Sequence, residues 1–273
     1  MPPITVLTIA GSDSGGGAGV QADLRTFAAF GVHATSAITA VTAQNTLEVR
    51  AVEVVAPDVV AAQVNAVLDD FDVRAVKTGM LAQPATVELV AAMAAAGQLP
   101  ALVVDPVLVS STGHALLGPG GVDAYRDALI PHALVLTPNL AEAAALCRRD
   151  VRDVTNVDDM AELGRELHEL GARYVVVKGG HFARDDRHAG HSPDLVVSAH
   201  GVTVLDAERV ATSNDHGTGC SLSAAICAGL GLGRGVDDAV RDAKSFVLAA
   251  LAGAASWRLG HGRGPIDHLG WGE

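Results

Sequence analysis

The chain has 273 residues, 49% of them hydrophobic and 3% aromatic, enough to bury a large core as one α/β domain or as two smaller ones. Its formal net charge of −12 argues against a general nucleic-acid or anionic-membrane surface, so phosphate binding has to be local, through backbone amides, a few cations and a metal ion. The cysteines Cys147, Cys220 and Cys227 are scattered without a C-x-x-C pair, which offers no zinc site and suits a reducing cytosol.

Ile4–Ala10 is a short apolar run, too short and too poor in basic flanks for a signal peptide, and it reads as a strand. A glycine-rich loop follows, and Val20–Phe30 carries apolar residues at helical spacing. A dinucleotide fingerprint can be traced through Gly17 and Gly19, but the acidic residue due about 20 positions later is missing. A Walker A loop is excluded because no Gly-Lys dipeptide occurs. Strands are expected at His33–Thr42 and Val49–Val55, then a helix over Pro57–Asp70 with its proline in the first turn. The alternation continues with strand Arg74–Lys77, helix Pro84–Ala96, strand Ala101–Asp105, helix Val122–Ile130, strand Leu134–Leu136, helices Leu140–Cys147 and Asp158–Leu170, and strand Tyr174–Lys178. Such alternation predicts a mainly parallel sheet covered on both faces, with ligands beyond the carboxyl ends of the strands. Arg184–Pro193 is either a flap over bound nucleotide or a solvated hairpin loop. Phe246–Trp257, bounded by Lys244 and Arg258, reads as a packed helix rather than a membrane span. No composition shift marks a domain boundary, so residues 1–273 are expected to form a single domain.

Polar residues directly follow the apolar runs at Asp13, Gln44, Lys77, Asp105, Asn139 with Glu142, and Lys178. Each alone is explained as a cap, a turn former or a solvated strand end; together they point to one edge and to a site. Two of the chain's three lysines are among them. Near the end, N-D-H-G-T-G-C-S-L-S-A-A-I places Gly217, Thr218 and Gly219 before a small-residue apolar run that should begin a helix at Ser221. The turn is either an anion site made of converging amides or a place for close helix packing. A thiol at Cys220 would meet the positive end of the helix dipole, which predicts a lowered pKa and a base or nucleophile.

The blocks T-I-A-G-S-D-S-G-G-G-A-G-V-Q-A-D-L-R-T-F, A-V-T-A-Q-N-T, V-K-T-G-M-L, V-V-D-P-V-L-V, L-T-P-N-L-A-E-A, V-V-V-K-G-G-H and H-G-T-G-C-S-L-S-A-A run from Thr8 to Ala225. In this order they closely resemble the hydroxymethylpyrimidine/phosphomethylpyrimidine kinases of thiamine biosynthesis, within the ribokinase-like superfamily. Sugar kinases of that superfamily usually carry Asp where this chain has Cys220. The resemblance implies an α/β/α sandwich, a homodimer, and two successive transfers from ATP with Mg²⁺, to a pyrimidine alcohol and then to its monophosphate, while the unpaired cysteines noted above predict a cytoplasmic location. It implies that Gln44, Asp23 and the Gly11 backbone hold the aminopyrimidine, with Met80 and Val107 as walls. Asp105, Asn139 and Glu142 would organise Mg²⁺ through water and phosphate, Lys178 would meet the nucleotide phosphates, and Gly217–Cys220 would form the anion hole with Cys220 as base.

These roles suit the chemistry. A carboxamide carries the donor and acceptor that an aminopyrimidine edge needs, and phosphoryl transfer asks chiefly for alignment and charge stabilisation. Asp215 departs from the family, where Thr is common; it caps the turn, lies near the metal, or faces the phosphates, where it would weaken nucleotide binding. The rival readings are a pyridoxal or pyridoxine kinase, a non-catalytic pyrimidine-binding protein and, more distantly, a dehydrogenase.

Overall fold

The computed structural model describes residues 2–109, 113, 115–180 and 190–272. Among them nine strands form one sheet: β1 (Thr5–Asp13), β2 (His33–Gln44), β3 (Val49–Val54), β4 (Val73–Thr78), β5 (Val103–Val104), β6 (Val135–Leu136), β7 (Tyr174–Val177), β8 (Asp194–Ser198) and β9 (Gly201–Leu205). Their order is β3-β2-β1-β4-β5-β6-β7-β8-β9. The strands from β2 through β7 pair in parallel, while β3, β8 and β9 add antiparallel margins. The last of these, β9, for which no strand is expected above, runs along the sheet margin with Val202 and Val204 partly exposed.

Side-chain alternation explains how one sheet supports two helical layers. Leu7, Val76, Val104, Leu136, Val175 and Val177 enter one core with α2 (Pro57–Leu68), α3 (Pro84–Ala95), α5 (Leu140–Leu146) and α6 (Val157–Glu169). Val6, Ala75, Val103, Val135 and Val176 enter the other with α1 (Gly19–Ala29), α7 (Thr218–Gly231) and α8 (Val236–Gly253). The helix expected at Val122–Ile130 is three short pieces instead: α4 (Gly121–Ala124), a π turn at Tyr125–Leu129 and a 3-10 turn at Ile130–His132. Pro131, which lacks an N–H donor, forces the last change. The Phe246–Trp257 run lies largely in α8, and among the described residues no helix is long and apolar enough to cross a membrane. Of Arg184–Pro193, residues 184–189 lie outside the described residues.

Candidate active site

Parallel strands of one sheet end together, so the residues after β1, β4, β5, β6 and β7 meet at one edge. A cavity of about 510 Å³ opens there, lined by Asp13, Gln44, Lys77, Asp105, Asn139, Glu142, Lys178 and the Gly217–Cys220 turn. Gly11, Met80 and Val107 also line it. Gln44 and Cys220 therefore share one space.

Asp13 shapes the front wall. Its carboxylate accepts from the amides of Gly15 (2.8 Å), Gly17 (3.1 Å) and Ala18 (2.9 Å), and from His216 Nε2 at 3.0 Å. Burial works against the charge, yet His216 and these amides hold the group below the usual carboxylate range. Ser14 Oγ donates to the Gln44 carbonyl and accepts from its amide, so the glycine loop is stitched to the end of β2.

Behind the cavity lies a buried ion pair. Lys77 Nζ is 2.8 Å from both Asp23 oxygens, both side chains are fully enclosed, and Thr8 Oγ1 donates to Asp23 at 2.6 Å. Asp23 therefore does not line the cavity, where the resemblance puts it against the pyrimidine. Its charge is committed to Lys77, whose own ammonium is favoured by Asp23, Cys220 and Asp105 against the cost of burial.

Asp105 takes Lys178 Nζ at 2.8 Å, Thr137 Oγ1 at 3.2 Å and Ser223 Oγ at 3.3 Å. Burial opposes its charge, but Lys178 and Lys77 outweigh it and lower the pKa. Asn139 and Glu142 form the capping box of α5: Asn139 Oδ1 accepts from the Glu142 amide at 2.9 Å, and Glu142 Oε2 from the Asn139 amide at 2.8 Å. Burial, reinforced by Asp105 and opposed by Lys178, pushes the Glu142 carboxyl up to about 7. Among the described residues no group of three His, Cys, Asp or Glu side chains is arranged to enclose a metal ion. Two carboxylates, Asp105 and Glu142, on the wall of this cavity suit Mg²⁺, which keeps waters and shares substrate oxygens rather than needing a protein cage.

The Gly-Thr-Gly-Cys turn differs from expectation in two ways. Helix α7 begins at Thr218, not Ser221, because Gly217 adopts a left-handed φ of +87° and caps it. Thr218, Gly219 and Cys220 are thus its first turn, whose amides an α-helix leaves without intrahelical partners. A side chain at Gly217 is barred, since its Cβ would lie 1.9 Å from the Gly17 carbonyl oxygen. The second difference concerns Cys220. Burial pushes its thiol up to about 11, with Asp23 and Asp105 adding to the rise, and Lys77 and the Gly19 amide only partly offset it. The helix dipole does not prevail over desolvation and two nearby carboxylates.

Asp215, left open above, is ion-paired to Arg263 through Nε (2.7 Å) and Nη2 (2.5 Å), with both residues at the cavity. Lys178 is steadied from behind: the next amide, Gly179, donates to Asp194 Oδ1, and Asp194 Oδ2 takes Lys244 Nζ of α8, each at 2.8 Å. Lys244 also donates to the Ser192 carbonyl at 2.7 Å. His216 is a functional candidate that lies within the H-G-T-G-C motif without a role assigned by it. Only the folded chain brings it between Asp13 and Gln44.

Residues 13–267 match the family described as phosphomethylpyrimidine kinase. The chain is 47% identical over 267 residues to the hydroxymethylpyrimidine/phosphomethylpyrimidine kinase of Rhizobium meliloti, covering 96% of each. Among solved structures, the phosphomethylpyrimidine kinase of Clostridium difficile superposes with a TM-score of 0.78 at 38% identity, over 91% of this chain and 99% of that one. An ADP complex of Bacillus subtilis pyridoxal kinase superposes with a TM-score of 0.86 at 37% identity, over 97% and 96%. Sequence match and shared architecture agree that this chain belongs to the phosphomethylpyrimidine kinase family.

Proposed function

We propose that the chain transfers phosphate from ATP to the hydroxymethyl group of 4-amino-5-hydroxymethyl-2-methylpyrimidine, and then phosphorylates that monophosphate to the diphosphate, in thiamine biosynthesis. The observation that carries this reading is the shared cavity, which Gln44, Lys178, Asp105 and the Gly217–Cys220 turn all line. Nucleotide use is further supported by the ADP complex of the Bacillus subtilis relative.

In this reading Gln44 pairs with the aminopyrimidine edge, and Gly11, Met80 and Val107 wall the ring. Asp23 acts from behind, keeping Lys77 in place as a buried cation. The amides of Gly219 and Cys220, beside that of Thr218, which also donates to the Asp215 carbonyl at 3.4 Å, face the equatorial oxygens of the moving phosphoryl group, where charge gathers in the transition state. Lys178, whose Nζ lies beside Gly219, supplies positive charge next to these amides. Asp105 and Glu142, with Asn139 holding Glu142 in place, would take Mg²⁺ through water and phosphate, and a bound Mg²⁺ neutralises phosphate charge. Cys220 accepts the alcohol proton in the first reaction. In the second, the attacking monoester is already largely dianionic, since its second pKa is about 6, and it needs no such base.

Incubating the protein with the pyrimidine alcohol and MgATP, and following products over time, tests the reading: monophosphate should precede diphosphate. Failure to form either would end it. The likeness to a pyridoxal kinase favours one second reading, phosphorylation of pyridoxal, which a comparison of rates on the two alcohols separates. The homodimer implied by the family draws support from exposed Val41, Leu47 and Val54 along the β2–β3 margin, and sedimentation equilibrium would test it.

A further inference from the structure

We infer that His216 is a positioning residue that fixes which way round the Gln44 carboxamide faces, and so sets the donor–acceptor order the cavity accepts on a heteroaromatic edge. The inference rests on Gln44 being the group that reads the pyrimidine, as proposed above.

The available hydrogens fix the orientation. Asp13 is an ionised carboxylate gripped by three amides, so it only accepts. His216 Nε2, 3.0 Å from Asp13 Oδ2, must therefore carry its hydrogen on that nitrogen and donate it. A ring nitrogen bearing hydrogen has no lone pair for another donor. Gln44 Nε2 sits 3.4 Å from the same nitrogen, which sets donor against donor, while Gln44 Oε1 lies 3.3 Å from Thr42 Oγ1. A half-turn of the amide resolves this conflict. Oε1 then shares the His216 hydrogen with Asp13, and Nε2 donates to Thr42 Oγ1. Thr42 can receive it, because its own hydroxyl hydrogen is directed to the Ser12 carbonyl at 2.9 Å.

Every member of this chain is then satisfied, from Ser12 through Thr42, Gln44 and His216 to Asp13. His216 itself has little room to turn, since a Cβ on Gly17 would come within 2.4 Å of its ring. Toward the cavity the locked carboxamide shows its second N–H on the Thr42 side and its second carbonyl lone pair on the His216 side. A ring nitrogen beside an exocyclic amino group matches this when the amino group lies toward His216. The 4-oxo analogue presents the reverse order, N–H beside C=O, and would set carbonyl against carbonyl and N–H against N–H.

The test is the ratio of kcat/KM for the 4-amino alcohol to that for its 4-oxo analogue. A site built to pair one hydrogen-bonding order should favour the amino compound by about 10²-fold or more in the parent enzyme. In His216→Phe, which keeps a ring against Gly17 but removes the N–H, the amide is free to turn and the ratio should fall at least tenfold. In His216→Gln, which restores an N–H at that position, it should recover. A purely structural role for His216 would lower both substrates together and leave the ratio unchanged, which overturns the inference. Gln44→Met separates the two layers. If it leaves the ratio intact, Gln44 does not read the ring, and both that role and the positioning role fall; if it abolishes the ratio while His216→Phe does not, only the positioning role falls. Should His216→Phe fail to fold, Thr42→Val removes the acceptor at the other end, and a ratio that falls less than about threefold there would overturn the inference.

Discussion

Cys220→Ala offers the sharpest test of the proposed chemistry. With the thiol raised to about 11, roughly one site in three thousand carries a thiolate at pH 7.5, and that fraction grows about tenfold per pH unit below the pKa. If Cys220 Sγ takes the alcohol proton, kcat/KM for the first reaction should climb with pH at that slope between pH 7 and 9. General-base assistance is commonly worth about 10²- to 10⁴-fold, and the scarcity of thiolate places this case near the lower end at pH 7.5. The Ala variant should therefore lose about 10²-fold on the alcohol at pH 7.5 and about 10³-fold at pH 8.5, as the parent rises and the variant does not. On the monophosphate the same variant should lose less than about tenfold, because that nucleophile arrives ionised. Single-turnover rates by rapid quench, with each substrate and across this pH range, supply the comparison. Parallel pH profiles for parent and variant, or equal losses on both substrates, would refute the base role and leave Cys220 a packing residue.

Lys77→Met should strand the Asp23 carboxylate in the core, an effect usually costing about 3–5 kcal/mol, and lower the Tm by about 6–20 °C in thermal denaturation; a change under about 2 °C would show the pair is not coupled to folding. Gly217→Ala should abolish turnover, because its Cβ meets a backbone carbonyl at a left-handed φ, whereas Gly219→Ala meets only the mobile end of Lys178 at 3.1 Å and should keep the Tm while lowering kcat about tenfold. Arg263→Ala removes a half-exposed ion pair of about 0–1 kcal/mol, so the Tm should hold within about 3 °C, while the unmasked Asp215 carboxylate raises the KM for ATP several-fold; an unchanged KM would mean Asp215 does not face the nucleotide.

The parallel sheet was legible because Val6–Leu7, Val103–Val104 and Val135–Leu136 are apolar on both faces and alternate with helical stretches, and from that the strand-end residues could be gathered at one edge. Gln44, Lys178 and the Gly217–Cys220 turn were found by that rule and by their motifs. The chemistry of neighbours was not legible. Asp23 looks like a cavity residue until Lys77, 54 positions away, is seen to claim it. The Cys220 thiol looks activated by its helix until the buried carboxylates beside it are counted. His216 is separated by 203 positions from Asp13 and by 172 from Gln44, and no local pattern ties them. Periodicity reports which face a residue takes, while a pKa or a hydrogen-bond partner depends on chain segments that meet only after folding.

The Asp194 clamp has a consequence for how this protein can vary. One carboxylate fixes the chain just after Lys178 and, through Lys244, the chain just before β8, while Gly179 touches Pro193 so closely that a Cβ would lie 1.8 Å from its carbonyl oxygen. The way out of β7 and the way back into β8 are thereby held side by side. Residues added or removed between positions 180 and 190 leave both anchors where they are, and each doubling of such an excursion costs only about 0.6 kcal/mol of closure entropy. Changes of length there need not shift the reach of Lys178.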